Sequence, residues 1–261
     1  IPALACGKHI GSFALTEAES GSDAASLKTR AEKKGQEYII NGTKQFITQA
    51  NLANTLIVFA RTGKKGPQGI SAFILEKNMP GIRIGKIEKK MGCNISPTCE
   101  VILENVRVPE KNLVGKEGDG FKISMVALDS GRITIGATAN GISRAAFDFA
   151  RQFACTRKQF DSPIIEFQGI QFMLADMYTL LEASRLLVLQ AASLKDAGLA
   201  FTLQASTAKL FSTDACMQIT TNAVQILGGS GYMKDFPVER YMREAKALQI
   251  VEGTNQIQRI L

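Results

Sequence analysis

The hydrophobic pattern of this 261-residue chain changes its period once, near the stretch KEGDGF that spans residues 116–121. Before it, short runs of β-branched and aromatic residues alternate with glycine- and proline-containing turn material, as strands do. After it, apolar residues recur every three or four positions, which is the spacing of amphipathic helices. We therefore predict an α+β chain with a β domain over residues 1–118 and a helical domain over residues 119–261.

Four segments carry the strand prediction. NTLIVFART, GISAFILEK and CEVILENVRV are separated by the turn-forming stretches KKGPQG, NMPG and NISPT. In EYIINGTKQFIT, Asn41-Gly42 lies between apolar runs, so we predict a hairpin with positive φ at both central residues. The spacing of the strands favours a small antiparallel barrel or sandwich. Residues 1–10 do not open like a domain, and we expect them to be the end of a preceding helical domain.

The helical part has its clearest periodicity in QGIQFMLADMYTLLEASRLLVLQAASL. One broad face of this helix carries Ile170, Met173, Leu174, Met177, Leu180, Leu181, Leu187, Val188 and Ala191. A second segment, PVERYMREAKALQIV, opens with Pro237, a residue favoured in the first turn of a helix. Three or four such helices predict a bundle.

The composition disfavours several kinds of site. The five cysteines are an odd number without a CxxC pair, and His9 is the only histidine. A zinc centre and a Cys–His or Ser–His nucleophile are therefore disfavoured, and we expect no bound metal. We expect reduced thiols in a reducing compartment, either a bacterial cytoplasm or the mitochondrial matrix. No apolar stretch reaches the ~20 residues that span a bilayer, so we expect no membrane association.

The net charge of +7 invites a nucleic-acid interpretation. The basic residues are scattered apart from short runs such as KIEKK, there is no tryptophan, and the aromatics do not interleave with the basic residues. We therefore expect no nucleic-acid partner. A solvated basic surface is the favoured interpretation, and an anionic small molecule or an acidic protein partner is the functional alternative.

Each remaining motif is ambiguous alone. FALTEAESGSD is either a polar loop or a set of N–H groups and hydroxyls, from Thr16, Ser20, Gly21 and Ser22, that could hold an anion or a polar ring edge. The GGSG of QILGGSGY follows a helical stretch, so it fails the dinucleotide fingerprint and predicts a helix C-terminus and turn. Arg157 is either a surface charge or a ligand for phosphate. Glu252 is either a surface acid or a carboxylate held in an apolar pocket because a base is needed there.

Together these motifs resemble one family. TEAESGSD, NGTKQFIT, ENVRVP, LDSGR, TRKQF, FQGIQFMLADM, QILGGSGY and VEGTNQIQRIL occur in the order and spacing of the acyl-CoA dehydrogenases, with the greatest likeness to short-chain, butyryl-CoA-type members. The resemblance runs over nearly the whole chain. It implies a middle β domain and a C-terminal four-helix bundle, without the family's N-terminal helical domain. It also implies FAD bound without a Rossmann fold and a homotetramer built as a dimer of dimers.

The resemblance assigns FAD contacts to several stretches. Thr16 would bond the pyrimidine end of the flavin, Phe46 would shield one face in place of the family's tryptophan, and Thr48 would bond near N5. Arg157 would pair with the pyrophosphate across a subunit interface, because its planar fork suits phosphate. The complete set is Phe13, Leu15, Thr16, Gly21, Ser22, Phe46, Ile47, Thr48, Arg157, Phe160, Gln168, Gln225, Gly228, Gly229, Thr254 and Gln256.

The resemblance also implies the chemistry. Ser22, Asp129, Arg132 and Gly253 would contact the acyl-CoA, and Glu252 would remove its α-proton while hydride leaves the β-carbon for flavin N5. The products would be a trans-2-enoyl-CoA and electrons for an electron-transfer flavoprotein. Such a base should be desolvated, with a pKa above the usual ~4.3, and Ile250 and Val251 are its expected apolar neighbours.

One supporting observation, one departure from the family's pattern and two alternative functions accompany this prediction. Some branches of the family place the base at the position of Gly131, so this glycine argues against an isovaleryl-type member. The common TEP motif is replaced by Thr16-Glu17-Ala18, followed by Glu19, which predicts a more acidic and less rigid loop. The alternative functions are an acyl-CoA oxidase that uses oxygen and a non-catalytic assembly or binding protein that retains the fold.

Overall fold

The computed structural model describes residues 1–260 and divides into two compact units, Ile1–Ala127 and Leu128–Leu261. The division falls inside one long helix, which begins at Gly120. The sequence-based boundary between residues 118 and 119 lies just before that helix and stays a prediction. No helix within residues 1–260 is long and apolar enough to cross a membrane.

The first unit is built on one sheet. Its elements are α1 (Pro2–Ala5), β1 (Gly11–Ala14), β2 (Arg30–Lys34), β3 (Glu37–Thr48), β4 (Thr55–Arg61), β5 (Ile70–Glu76), β6 (Ile82–Ile87), β7 (Thr98–Pro109) and β8 (Leu113–Val114). The strand order is β6-β7-β3-β2-β4-β5-β8, and β1 pairs with β4. Neighbouring strands are antiparallel, except that β1 and β2 run parallel to β4. The predicted strands in NTLIVFART, GISAFILEK and CEVILENVRV correspond to β4, β5 and β7.

Alternation along the strands buries one continuous core in this unit. Tyr38, Ile40, Phe73 and Val101 are completely buried within it. Burying each such side chain contributes roughly 1.5–3 kcal/mol. Strands β2 and β6 were not predicted from the sequence, because RAEKK and IRIGKI lack the continuous apolar or aromatic runs that mark the others.

The predicted hairpin at Asn41-Gly42 is wrong. β3 runs without a turn from Glu37 to Thr48, and its pairing with β7 is irregular between Ile40 and Gly42 and again between Lys44 and Ile47. Gly42 is still required, because a Cβ there would lie 2.7 Å from the Cα of Thr29. The glycine therefore permits a close approach of two chain segments inside a sheet rather than a tight turn.

The second unit is helical. It contains most of α2 (Gly120–Thr156), then β9 (Lys158–Gln159), β10 (Ser162–Pro163), α3 (Gln168–Asp196), α4 (Thr202–Leu227), α5 (Gly229–Tyr232), α6 (Val238–Leu248) and α7 (Asn255–Gln258). The predicted apolar face of α3 is buried at Leu174, Met177, Leu181 and Val188. The helix predicted to begin near Pro237 starts at the next residue, and Gly228 ends α4 with φ 58°.

A two-residue hairpin that the sequence analysis missed joins β9 and β10. Gln159 pairs with Ser162, and the loop residues Phe160 and Asp161 have φ values of 50° and 63°. Positive φ at both loop residues defines the type I′ geometry that had been expected at Asn41-Gly42.

Candidate active site

Three hydrogen bonds join β1 and the segment after it to strand β3, and so bring together two stretches predicted to contact the flavin. Ser12 Oγ donates to Thr48 O at 2.7 Å, and Gln45 N donates to Thr16 O at 2.9 Å. Lys44 Nζ donates to Leu15 O at 3.0 Å. The stretches around Thr16 and Thr48 are therefore neighbours within the first unit.

A buried ion pair fixes this junction, and the sequence analysis did not single it out. Lys44 is fully buried and its Nζ lies 2.8 Å from Glu17 Oε1. The Glu17 carboxylate also accepts hydrogen bonds from the backbone N–H groups of Lys28 and Thr29, at 2.6 and 3.0 Å. Burial acts to raise the pKa of Glu17, but Lys44 and these donors lower it overall. Burial lowers the pKa of Lys44 to about 8, against the pull of Glu17, so the pair is ionised at neutral pH.

The loop that follows Thr16 is held more tightly than the sequence suggested. Glu17 and Ser20 exchange two backbone hydrogen bonds of 3.1 Å, and Ser20 Oγ donates to Asp23 O at 2.7 Å. The N–H and hydroxyl of Ser20 are thus used within the loop, which favours the polar-loop alternative at this residue. Gly21 and Ser22 are exposed.

Phe46 is presented outward by a bulge in β3. Its φ is 58° and its side chain is 56% exposed, although Ile47 beside it is buried. The pairing of β3 with β7 breaks between Lys44 and Ile47, which frees Gln45 and Phe46 from the ladder. Phe13 is also partly exposed, and its ring centroid lies 4.8 Å from that of Phe59. The exposed rings and Thr48, also exposed, are groups suited to a flat aromatic ligand.

Glu252 lies in the loop between α6 and α7, half-buried and in the left-handed region at φ 57°. Its carboxylate occupies the space beside Gly131 on α2. A Cβ at Gly131 would lie 2.4 Å from Glu252 Oε2 and 2.9 Å from Cδ. Within residues 1–260, no hydrogen bond to this carboxylate is formed. Glu252 is thus a partly desolvated carboxylate that retains its capacity to accept a proton.

The pKa of Glu252 is raised by burial, while the positive charges of Arg132 and Lys209 act to lower it. The expected apolar neighbours of Glu252 are themselves exposed. Ile250 is 56% exposed and Val251 is 41% exposed. The missing side chain at Gly131 provides the space for the carboxylate. The charges of Arg132 and Lys209 limit how far burial raises its pKa.

A buried lysine and a glutamine hold the backbone beside Glu252. Lys209 Nζ donates to Gly253 O at 2.9 Å and to Asn255 Oδ1 at 2.8 Å. Gln258 Nε2 donates to Glu252 O at 3.1 Å and to Gly253 O at 2.9 Å. The positioning roles of Lys209, Asn255 and Gln258 were not predicted from the sequence. The signal available was a lysine inside the small-residue run QASTAKLF, where a charged residue must be paired if it is buried.

Asp129 and Arg132, predicted to contact the acyl-CoA, lie one turn apart on α2 and pair with each other. Arg132 Nη1 is 2.6 Å from Asp129 Oδ1 and 3.4 Å from Ser206 Oγ. Thr202 Oγ1 donates to the other oxygen of Asp129 at 2.7 Å. Arg132 Nε is buried without a hydrogen-bond partner among residues 1–260. A buried, unpaired N–H of this kind is a candidate contact for a ligand oxygen.

A separate cleft of about 350 Å³ brings Arg157 together with Gly228 and Gly229. Arg157 is exposed, and no carboxylate within residues 1–260 pairs with it. A Cβ at either glycine would meet nothing within 4 Å, so both border open space. Phe160, Gln168 and Gln225 are exposed but do not line this cleft.

The two predicted FAD residues that follow Glu252 have different roles in the fold. Thr254 is the N-cap of α7, and its hydroxyl accepts a hydrogen bond from Ile257 N at 3.3 Å. Gln256 is exposed. Gly253 has φ 88°, and a Cβ there would lie 2.7 Å from Gln258 Nε2, so glycine is required.

The two units match two domain models of one family. Residues 12–106 match the model described as the acyl-CoA dehydrogenase middle domain, and residues 118–261 match that of its C-terminal domain. Together with the β unit and the helical unit that carries a half-buried carboxylate, these matches define an acyl-CoA dehydrogenase fold. The chain belongs to the acyl-CoA dehydrogenase family of flavoprotein oxidoreductases.

Its similar proteins include short-chain acyl-CoA dehydrogenases. An acyl-CoA dehydrogenase of Bacillus subtilis is 54% identical over 100% of this chain and 69% of its own length. The butyryl-CoA dehydrogenase structure from Megasphaera elsdenii has a TM-score of 0.98 at 47% identity, covering 99% of this chain and 68% of that one. A structure described as the electron transferring flavoprotein of Acidaminococcus fermentans has a TM-score of 0.98 at 53% identity, with the same coverages.

Proposed function

We propose that this chain catalyses the α,β-dehydrogenation of a short-chain acyl-CoA to the trans-2-enoyl-CoA, with Glu252 as the base. The observation that carries the proposal is the Glu252 carboxylate, half-buried against Gly131 and with its pKa raised by burial. An α C–H next to a thioester is a weak acid, so a desolvated carboxylate is a stronger base for it than a solvated one.

The two cations near Glu252 oppose the effect of burial on its pKa. Burial favours the protonated form, and the charges of Arg132 and Lys209 oppose it. Burial therefore strengthens the base, and the two cations favour the ionised form from which it must start.

The backbone at Glu252 supplies the second requirement, a donor for the thioester oxygen as negative charge develops. The carbonyls of Glu252 and Gly253 are held by Gln258 and Lys209. Within residues 1–260 the N–H of Glu252 forms no hydrogen bond. A preorganised and unused N–H stabilises an enolate without reorganising during the reaction.

FAD fits the groups that the fold presents, and we propose it as the cofactor. Thr16, Phe46 and Thr48 would hold the flavin ring, and Arg157 with Gly228 and Gly229 would hold the pyrophosphate, contributed to a neighbouring subunit of a homotetramer. Thr254 and Gln256 would complete the set. When bound, FAD accepts the hydride from the substrate β-carbon. Ser22, Asp129 and Arg132 would contact the acyl-CoA.

The electron acceptor in this proposal is an electron-transfer flavoprotein. The similarity to the Acidaminococcus fermentans structure supports this acceptor, because the description of that structure names an electron transferring flavoprotein. We propose butyryl to hexanoyl chains as substrates, on the likeness to the Megasphaera elsdenii butyryl-CoA dehydrogenase.

Glu252→Gln tests the proposal on the FAD-loaded protein. We expect butyryl-CoA to reduce the flavin anaerobically in the wild type, and we expect the variant to lose this reduction by about 10³-fold or more, because the amide cannot accept the α-proton. Flavin absorbance reports the hydride step, and NMR of α-proton exchange in D₂O reports the proton step. The exposed Glu76→Gln is the matched control and should react like the wild type.

Three results would contradict this proposal. Proton exchange that survives in Glu252→Gln would mean that the base is another residue. A flavin that no acyl-CoA reduces would favour a binding protein. Rapid peroxide formation after reduction, with no transfer to an electron-transfer flavoprotein, would favour an oxidase.

A further inference from the structure

The two ends of the stretch that carries Glu252 lie in direct contact. Glu252 is the central residue of residues 249–255, which join α6 to α7 and which we call the Glu252 loop. Asn255 N, at the end of this loop, donates to Gln249 O, at its beginning, at 3.0 Å. The position of the Glu252 carboxylate therefore depends on how these two ends are held.

One carboxylate on α4 bonds to the side chains at both ends of the loop. Asp214 Oδ1 accepts a hydrogen bond from Gln249 Nε2 at 2.6 Å and another from Asn255 Nδ2 at 2.7 Å. Hydrogen bonds to an ionised oxygen are shorter and stronger than those between neutral groups. Because one oxygen atom receives both donors, Asp214 fixes the two ends of the loop relative to each other.

The end of the loop at Asn255 is attached to α4 by further contacts. Asn255 is 3% exposed, so its amide must find its partners within the protein. Its Oδ1 accepts from Lys209 Nζ at 2.8 Å, and its Nδ2 donates to Thr213 Oγ1 at 2.9 Å in addition to Asp214. Asn255 therefore has no freedom to turn away from Asp214 while α4 is intact.

An ordinary surface ion pair is the competing interpretation of Asp214. Its Oδ2 lies 3.1 Å from Arg259 Nη2, and the two side chains are 41% and 54% exposed. A pair this exposed contributes little to stability. The contacts of Oδ1 with the two loop ends are therefore what distinguishes Asp214 from other acids on the helical unit.

Asp214 also supports the lysine that holds the middle of the loop. Burial lowers the pKa of Lys209 to about 8, and the charge of Asp214 is the strongest influence in the opposite direction. The charged Lys209 donates to Gly253 O, next to Glu252, at 2.9 Å. Loss of Asp214 would therefore weaken the loop at its ends and at its middle.

We propose that Asp214 is a positioning residue for proton removal, which joins the two ends of the Glu252 loop and thereby keeps the Glu252 carboxylate beside Gly131. The role of Glu252 as the base rests on the proposed function. Asp214 acts only through the loop, and it is not itself a proton acceptor for the substrate. A displacement of a reacting group by about 1 Å can slow a reaction by about 10²-fold, so a carboxylate behind the loop can control the rate.

Two substitutions at residue 214 and one control separate positioning from a general effect of charge. Asp214→Leu removes both the acceptor and the charge, and leucine is favoured over aspartate in a helix, so α4 should persist. Asp214→Asn removes the charge but keeps one oxygen that can accept from Gln249 and Asn255. Asp148→Asn is the matched control, because the Asp148 carboxylate is 46% exposed and also pairs with an arginine, Arg144.

Anaerobic reduction of the FAD-loaded proteins over a range of butyryl-CoA concentrations gives a limiting rate and a half-saturating concentration. In Asp214→Leu we expect the limiting rate to fall about 10²-fold while the half-saturating concentration changes by less than about threefold, because the base is displaced and the proposed acyl-CoA contacts are not. Asp214→Asn should lie between Asp214→Leu and the wild type. Asp148→Asn should stay within about twofold of the wild type.

Hydrogen exchange, followed by mass spectrometry of the peptide that covers residues 249–255, tests the loop without turnover. The bond from Asn255 N to Gln249 O protects this amide. We expect exchange to accelerate about tenfold in Asp214→Leu, less in Asp214→Asn and not at all in Asp148→Asn. If butyryl-CoA does not reduce the wild-type flavin, the proposed function fails, and this exchange still decides whether Asp214 holds the loop.

Several results would overturn the proposal. A wild-type limiting rate in Asp214→Leu, even with a lower melting temperature, would leave Asp214 with a purely structural role. A slower rate with unchanged exchange of the loop would mean that the loop does not transmit the effect. A raised half-saturating concentration at an unchanged limiting rate would indicate substrate binding instead, and an equal loss of rate in Asp148→Asn would indicate a general effect of charge. If Asp214→Leu does not fold, Asp214→Asn decides, and a wild-type rate and wild-type exchange in it would refute the assignment.

Discussion

Glu252 and Gly131 are coupled at the residue scale, because the carboxylate occupies the volume that a side chain at residue 131 would fill. A Cβ there would lie 2.4 Å from Glu252 Oε2. In the sequence, Gly131 is a position from which a base is absent. The geometry adds that any side chain at residue 131 displaces the carboxylate on the loop, so only one of the two positions can carry a base.

Gly131→Ala should therefore damage activity more than stability. The clash falls on the end of a flexible side chain, which can move, and alanine is favoured over glycine in a helix by roughly 0.5–1 kcal/mol. We expect the free energy of unfolding to change by less than about 1 kcal/mol, while flavin reduction by butyryl-CoA slows by about 10²-fold. Denaturant unfolding and anaerobic stopped-flow absorbance measure the two effects.

Gly141→Ala is the control for this substitution. It lies on the same helix, and a Cβ there would meet nothing within 4 Å. It should gain helix stability and keep the wild-type rate. Equal rates in Gly131→Ala and Gly141→Ala would show that the position of Glu252 does not limit proton removal.

Lys209 should position Glu252 and hold down its pKa. Burial lowers the pKa of Lys209 itself to about 8, with Arg132 acting in the same direction and Asp214 and Glu252 opposing, so it is charged at neutral pH. In Lys209→Met the cation is lost, and the pKa of Glu252 should rise further. The acid limb of the pH–rate profile should then move to higher pH, because more of the base is protonated at any given pH.

The same substitution should also cost stability, by roughly 1–3 kcal/mol, because Gly253 O loses one of its donors and Asn255 Oδ1 loses a charged partner. The exposed Lys195→Met is the control. A loss of stability without any displacement of the pH–rate profile would leave Lys209 with a structural role alone.

At the element scale, the contact between the segment that follows β1 and strand β3 depends on the Glu17–Lys44 pair. Removing one partner of a buried pair leaves the other charge without compensation, which typically costs about 3–5 kcal/mol. We expect Lys44→Met and Glu17→Gln each to destabilise the protein, and the double variant to lose less than the sum. Urea unfolding of the four proteins gives the coupling energy.

The pH dependence of this pair follows from the lowered pKa of Glu17 in the folded state. A carboxyl whose pKa is depressed by folding contributes stability above its unfolded pKa, here 4.5, and loses it as pH falls through the folded value. The stability difference between wild type and Glu17→Gln should therefore shrink below pH 4.5. A constant difference would mean that Glu17 acts through packing alone.

At two elements, the conformation favoured by the local sequence differs from the one that sheet pairing produces. Asn41-Gly42 has strong turn chemistry but lies inside β3, because residues on both sides of it pair with β7. Phe160-Asp161 has weak turn chemistry but forms the tight turn between β9 and β10. Long-range pairing decided both conformations, and no local propensity could have predicted it.

At the scale of the whole molecule, the exposure of each cysteine predicts how fast its thiol reacts. Cys6 and Cys155 are exposed, Cys93 is intermediate, and Cys99 and Cys216 are buried. Burial raises the pKa of Cys216 to about 11, which leaves almost no reactive thiolate at neutral pH.

We therefore expect a thiol reagent at pH 8 to modify Cys6 and Cys155 rapidly and Cys93 more slowly, and to reach Cys99 and Cys216 only after denaturation. Mass spectrometry of the labelled peptides identifies each site. Early labelling of Cys216 would contradict the packing of the helical unit. A melting temperature that changes on reduction would contradict the absence of disulfides within residues 1–260.

The sequence by itself determined the change from β to helical structure, the buried face of α3, the end of α4 at Gly228 and the family. These follow from residue types at short spacing, or from motifs in a fixed order, and neither requires knowledge of distant neighbours. Tertiary structure alone decided that Lys209 and Gln258 hold the Glu252 loop, that Asp214 bonds to both of its ends, and that Gly131 makes room for the carboxylate. Those relations join residues that are far apart in the chain, and their energies arise from burial and charge in three dimensions.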